Sequence, residues 1–382
     1  MCIPTFVGLL ALGFAHSLVV KHDGSVWGTG SNQQGQLGTS NTRELKFTIL
    51  IISGAKAVAA GKGHSLVLKQ DGTLWAAGQN DMGQLGDGSK VKFETFKPVG
   101  QNGVQAIAAA IHHSVILKQD GSVWTCGEDI RGMGTMGTFV EVMARDATAV
   151  ATGVYHTLVM KRDGSVQSTG CNDRGQLGSG IATCNDADSC SSKCSSSDFG
   201  NAISKDAKAV AANGRHSLVL KVDGRLWGAG WGAYGQLGDG SKTKATTVFK
   251  ELTADVQSMA AGRYHSLVLK QDGRVLAAGR NADGQLGDNT KGDSNGNRKK
   301  FQLVSSDAFA VAAGFKHSMI LKRDGTLWAT GYNGQGQLGT DSKKEQKEYI
   351  EVLTDVNYGE WFAVWLSPFP HSTIATLDRR PT

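Results

Sequence analysis

The chain has 382 residues, 51 of them glycine and only 5 proline, with 6 cysteines and a formal net charge of +6. That length is ample for a hydrophobic core, and the modest charge argues against a nucleic-acid arm, NRKK at 297–300 being the one short basic run. No stretch reaches the ~18 uninterrupted apolar residues of a membrane span.

The opening MCIPTFVGLLALGFA (1–15) has the apolar run of a signal peptide without its positive start. Continued as LLALGFAHSLVV, it lines up with VAAGKGHSLVL at 58–68 and is expected to be the inner strand of a first repeat. From there one phrase recurs. A histidine followed by Ser or Thr stands at His16, His64, His113, His156, His216, His265 and His317, and an Asp-Gly pair begins seven residues after each. A GQLG string starts twelve residues after the Asp in six copies, whereas the third reads RGMGTMG.

The runs on either side of Asp-Gly, such as SLVLK at 65–69 and TLWAAG at 73–78, are of strand length and apolar on both faces. Asp-Gly between them predicts a two-residue type I′ hairpin, because that turn needs positive φ at both central residues. Alanine-rich runs before the histidines, AVAAG at 57–61, QAIAAA at 105–110 and AVAAN at 209–213, supply another strand. FKPV at 96–99 and FQLV at 301–304 supply a weaker outer one. Four antiparallel strands in roughly 50 residues are the size of one propeller blade. Seven copies predict an all-β, seven-bladed β-propeller of four-stranded antiparallel blades over residues 1–357, with 358–382 a closing strand or a tail. The fourth copy is stretched by a Cys/Ser-rich insertion at about 179–204. Its Cys184, Cys190 and Cys194 fit free thiols, one disulfide or a zinc site.

The phrase G-x-x-H-S-L-x-L-x-x-D-G-x-x-W-x-x-G-x-N-x-x-G-Q-L-G resembles the repeat of the regulator of chromosome condensation family, over roughly residues 10–357. The resemblance implies the propeller. Members of that family include nucleotide exchange factors for a small nuclear GTPase, a plant ultraviolet-B photoreceptor, propeller modules of giant ubiquitin ligases and secreted bacterial inhibitors, so one architecture serves several jobs. It implies a non-catalytic protein-interaction propeller first, with guanine-nucleotide exchange on a small GTPase as the alternative. The exchange factors' acidic catalytic residues and wedge-shaped insertion do not map here residue by residue. In the photoreceptor relatives the turn before the histidine reads Gly-Trp-Arg-His and forms a homodimer face. The nearest copy here, Gly314-Phe315-Lys316-His317, lacks that tryptophan, so photoreception is not expected.

No catalytic site is expected, since the Ser, His and Asp residues recur as framework in every copy rather than as one triad. The G-x-G strings follow no βαβ pattern, and no cofactor is expected. Seven histidines on seven blades cannot all reach one metal at about 2.1 Å, so they are expected to fix the turn between the first two strands. The tryptophans Trp27, Trp75, Trp124, Trp227 and Trp328 are expected to pack between blades.

Function is expected where the phrase varies. The strand order puts the turn before each histidine and the loop before GQLG on one face, and the Asp-Gly hairpins on the other. The variable residues are Phe14, Lys62, His112, Tyr155, Arg215, Arg263, Tyr264, Phe315 and Lys316 in the turns, and Met82, Arg131, Arg174 and Tyr234 in the loops. Aromatics and arginines are the composition of protein-binding hot spots. Arg215, Arg263 and Lys316, extended by Arg174, are expected to form a cationic arc for a protein partner with an acidic surface. A small GTPase is the alternative partner, and neither a membrane nor direct nucleic-acid binding is expected. The chain has no Asn-x-Ser/Thr sequon, which leans toward an intracellular, cytoplasmic or nuclear protein.

Overall fold

The computed structural model describes residues 8–128, 134–180, 195–290 and 296–356. Arg131, Cys184, Cys190, Cys194 and the segment 358–382 lie outside them. The described residues form seven four-stranded antiparallel sheets arranged as blades in a ring. Blade 1 is built from Leu10–Leu12, His16–Val20, Val26–Ser31 and Arg43–Ile51, hydrogen-bonded in chain order. The same meander returns in blades 2 to 7, whose first strands begin at Ala55, Val104, Ala147, Ala207, Val256 and Ala308. The first blade's inner strand is the segment that resembled a signal peptide, and Ser195–Ile203 at the end of the insertion is blade 4's outer strand.

The second strand of every blade is buried along nearly its whole length, as in His16–Val20, and so cannot alternate apolar with polar. The core lies in sectors between blades. Leu18, Val20, Val26 and Leu37 of blade 1 meet Val58 and Val67 of blade 2, with Trp75 packed against the group. The closing seam repeats this pattern. Leu12, Val19 and Phe47 of blade 1 pack on Met319, Leu321 and Leu327 of blade 7, and the Asp341 N–H donates to the Leu45 carbonyl at 2.9 Å. Among the described residues both seam blades draw all four strands from one contiguous run.

The Asp-Gly hairpins differ from the type I′ expectation. Lys21 N–H donates to Ser25 O at 2.9 Å and Gly24 N–H to Lys21 O at 3.0 Å, which makes a three-residue loop. Only Gly24 has positive φ, +74°, and Asp23 keeps an ordinary φ because its carboxylate accepts from Ser25 N–H at 2.8 Å. A turn with glycine last in the left-handed region satisfies the same residue pair. Beside this turn Lys21 covers the Trp27 ring at 4.3 Å, and Lys69, Lys118, Lys221 and Lys322 cover the equivalent tryptophans. The hairpin glycine carbonyl accepts from the first strand of the following blade, for example Gly24 O from Ala55 N–H at 2.9 Å. Blades are thus also joined on the Asp-Gly face by these hairpin connections.

The histidines also join blades rather than fixing only their own turn. His16 Nε2 meets Ser65 Oγ of the next blade at 2.9 Å, and Ser65 donates to the Gln36 carbonyl at 2.7 Å. A hydroxyl has one proton, so Ser65 accepts from His16, which fixes the Nε2–H tautomer. The same latch links His64 to Ser114, His156 to Ser217, His216 to Ser266, His265 to Ser318 and, across the seam, His317 to Ser17. Glycine precedes the turn because the ring lies on it; a Cβ at Gly61 would collide with the His64 ring and the Ala110 carbonyl. Burial lowers these imidazoles to about 4 at His16 and His216 and about 3 at His64, His156, His265 and His317.

Candidate protein-binding face

The turn between the first two strands carries two variable positions, and the ring separates their tasks. The first is tied to the neighbouring blade by its backbone. Phe14 N–H donates to Gly61 O, Lys62 to Ala110 O, Val154 to Gly214 O, Arg263 to Gly314 O and Phe315 to Gly13 O, at 3.0–3.2 Å. Phe14, Lys62, Ile111, Val154 and Phe315 thereby surround the mouth of the central channel, above a wall of Ala60, Ala109 and Ala110. The second position, as in His112, Tyr155, Arg215, Tyr264 and Lys316, stands next to the conserved histidine position of the phrase and reaches toward the loops before GQLG. Those loops are rigid as well. The Asn32 side chain accepts from Leu37 N–H at 2.7 Å and donates to the carbonyls of Thr39 and Asn41.

The predicted residues do not form one uniform group. In blades 5, 6, 7 and 1 they join into a continuous aromatic rim. Tyr234 lies 5.3 Å from Tyr264, Tyr264 5.7 Å from Phe315, and Phe315 4.1 Å from Phe14 between ring centroids. Trp231, absent from the sequence-based set, completes the rim at 5.1 Å from Tyr234 and 6.0 Å from Tyr264. Arg263 stacks over Phe315 at 4.0 Å and Tyr264 at 5.0 Å, Arg280 over Tyr264 at 5.7 Å and Arg174 over Trp231 at 5.8 Å. Burial pulls the Arg263 guanidinium below its usual value, while Tyr264 and Tyr155 act in the opposite direction. On the other side of the ring, Lys62 is exposed and His112 half-buried, its imidazole lowered first by burial and then by Lys62. Met82 is half-buried beside them in its loop.

The cationic arc is present but not bare. Arg215 pairs with Asp173 at 2.8 Å, and Arg174 with the same carboxylate at 3.5 Å, the Asp173 side chain being fully buried. Lys316 and Arg280 share Asp283, each at 3.3 Å. Arg263 is held by aromatic faces instead. The sequence reading missed Trp231, Asp173, Arg280 and Asp283. Three of them were within its reach, because the position that ends the third strand or directly follows it reads Ser31, Gln79, Glu128, Cys171, Trp231, Arg280 and Tyr332 and is as variable as the turns, and Asp283 occupies the loop position from which Met82, Arg174 and Tyr234 were taken.

A ring of seven four-stranded blades built from one recurring phrase belongs to the class of seven-bladed repeat propellers. The chain belongs to the family of the regulator of chromosome condensation (RCC1) repeat. The family's repeat matches residues 9–36, 55–84, 147–176, 207–236, 256–285 and 310–337, and a second description of it matches 23–68 and 223–269. The ultraviolet-B receptor UVR8 of Arabidopsis thaliana is 27% identical over 148 residues, 38% of this chain and 34% of that protein. The probable E3 ubiquitin-protein ligase HERC4 of Homo sapiens is 29% identical over 170 residues, 41% of this chain and 16% of that protein. The chain thus spans about a third or less of the length of these relatives. Yeast RCC1 (Prp20), solved bound to Kap60, superposes with a TM-score of 0.76 at 20% identity, covering 92% of this chain and 86% of that one. Prp20p of Saccharomyces cerevisiae, in a study of its binding to Gsp1p and histones, gives 0.74 at 21%, with 85% of each chain covered. Identities this low show the fold alone.

Proposed function

We propose that this propeller is a non-catalytic interaction module that docks a protein partner with an acidic surface on the face carrying the histidine turns and the GQLG loops. One observation carries the reading: Trp231, Tyr234, Tyr264, Phe315 and Phe14 form an unbroken rim over four neighbouring blades, with Arg263 lying on it. Large rigid aromatics lose little entropy on docking and, beside arginine, are the side chains that dominate binding energy. On the opposite face every blade repeats one Lys-x-Asp-Gly pattern, whereas the residues of the rim differ from blade to blade. Capture of partners on the intact propeller, followed by Arg263→Glu with Tyr264→Ala, tests this. The captured partner is expected to associate more slowly with the variant, and its binding to wild type to weaken as salt shortens the screening length toward ~8 Å. A partner that binds the variant as fast and as tightly as wild type moves the site to the Asp-Gly face.

Exchange on a small GTPase is the second reading, favoured by superposition over most of the chain on Prp20p, whose binding to Gsp1p has been studied. Accelerated release of labelled nucleotide from a panel of small GTPases supports it, and unchanged release supports the interaction module. We propose a cytoplasmic or nuclear placement under either reading, against which the disulfide-bonded Cys171 stands.

A further inference from the structure

In six blades the glutamine of GQLG is held in the same way. Its Oε1 accepts the backbone N–H two residues earlier, at 2.9 Å for Gln36 and Gln84, 2.8 Å for Gln176 and 3.0 Å for Gln236, Gln285 and Gln337. With the oxygen engaged on the backbone, Nε2 points the other way, and what it meets depends on the residue three positions upstream. In blade 2 that residue is Asp81, which accepts from Gln84 Nε2 at 3.2 Å; in blade 4 it is Asp173, which accepts from Gln176 Nε2 at 2.9 Å. Blades 5, 6 and 7 have Ala233, Ala282 and Gly334 there. In these blades Nε2 of Gln236, Gln285 and Gln337 has no protein acceptor, although all three residues are fully buried. A buried amide donor left in this state is costly.

We infer that these three amides are receptor positions for carboxylates of a bound acidic segment, which does in blades 5 to 7 what Asp81 and Asp173 do within the chain. The inference rests on the binding-face reading and narrows it: the partner presents spaced Asp or Glu side chains over three consecutive blades, rather than a diffuse negative surface. Two further observations agree. The aromatic rim is centred on these same blades, and Arg174, Arg215, Arg263, Arg280 and Lys316 set five cations against the two carboxylates of Asp173 and Asp283. The amides are fully buried beneath this face, so the side chains above them must move when a carboxylate enters. The bond formed there is charge-assisted and shielded from water, which strengthens it.

The test uses the full chain and a short fluorescein-labelled peptide of alternating glutamate and glycine, followed by anisotropy, with the glutamine-glycine peptide as control. The double variant Ala233→Asn, Ala282→Asn places an uncharged side-chain carbonyl where blades 2 and 4 have their carboxylates. It is expected to raise the melting temperature, by giving Gln236 and Gln285 an acceptor, and to weaken the glutamate peptide about tenfold or more. Glutamate peptide that does not bind wild type, or that binds the variant equally well, overturns the inference, as does a variant with a lowered melting temperature. Arg263→Ala with Tyr264→Ala separates the two readings. If that variant loses the peptide and the asparagine variant does not, the face stands and the amide receptors fall; if both keep it, both readings fall.

Discussion

A single hydroxyl shows how the ring is held at the residue scale. Ser65 accepts from His16 Nε2 and donates to the Gln36 carbonyl, so one side chain of blade 2 satisfies two buried groups of blade 1. Ser65→Ala leaves both without that partner and is expected to lower stability by about 2–6 kcal/mol, since each buried orphan costs about 1–3 kcal/mol. Ser65→Thr keeps the hydroxyl, so its cost should be below that of the alanine variant, although the Oγ1 of Thr157, at the equivalent position of blade 4, makes no such bond. Urea unfolding of the two variants is the measurement; equal losses would show that the latch contributes volume and not hydrogen bonds. Of this arrangement the sequence showed the recurring His-Ser pair but not its use, because each of the six latch histidines bonds a residue 49–61 positions away, or 300 across the seam.

At the scale of turns and loops, the rim contains two kinds of arginine with opposite expected behaviour. Arg215 neutralises the fully buried Asp173, and removing one partner of a buried pair leaves the other charge stranded. Arg215→Ala is therefore expected to cost about 2–4 kcal/mol of stability, a little less than a lone buried pair because Arg174 also faces Asp173. Arg263 has aromatic neighbours and no carboxylate among its described contacts, so Arg263→Ala should cost under about 1 kcal/mol and act on partner binding. Thermal melts set beside partner association rates separate the two, and a reversed pattern would exchange the assigned roles. The blade was legible because its signals are local: Asp-Gly, alanine runs and the seven-copy period lie within one repeat. The turn type was not, since Asp23 is kept out of the left-handed region by its own bond to Ser25 N–H, which the Asp-Gly pair alone does not announce. The faces were legible from strand order, and Phe14, Tyr234, Arg263, Tyr264 and Phe315 do meet there. The pairing of Arg215 and Lys316 with Asp173 and Asp283 was not, because each pair joins two blades.

For the whole molecule, two kinds of chemistry set the conditions under which the ring persists. Cys126 is a buried free thiol, and Cys171 is disulfide-bonded. Disulfides persist in oxidising compartments and are rare in the cytosol and nucleus, so this bridge pulls against the intracellular reading. Alkylation of the unfolded protein with and without reductant, followed by mass spectrometry, is expected to show thiols that react only after reduction; a fully reactive set in both samples would restore the cytosolic or nuclear placement. The second condition is pH. Six latch histidines are buried and neutral, with folded values of about 3 to 4 against an ordinary 6.5. Because the folded values are the lower ones, the unfolded chain binds protons that the folded ring refuses. Their contribution is complete above about pH 6.5 and is lost as the pH falls toward the folded values. Near pH 5 each histidine shifts the balance by about 2 kcal/mol, and six of them by about 12 kcal/mol, comparable to the 5–15 kcal/mol that keeps a typical domain folded. The ring is accordingly expected to unfold cooperatively between about pH 6 and pH 4, with uptake of several protons. Urea midpoints across that range measure it, and stability that stays level down to about pH 4 would show that the histidines ionise without breaking the latches.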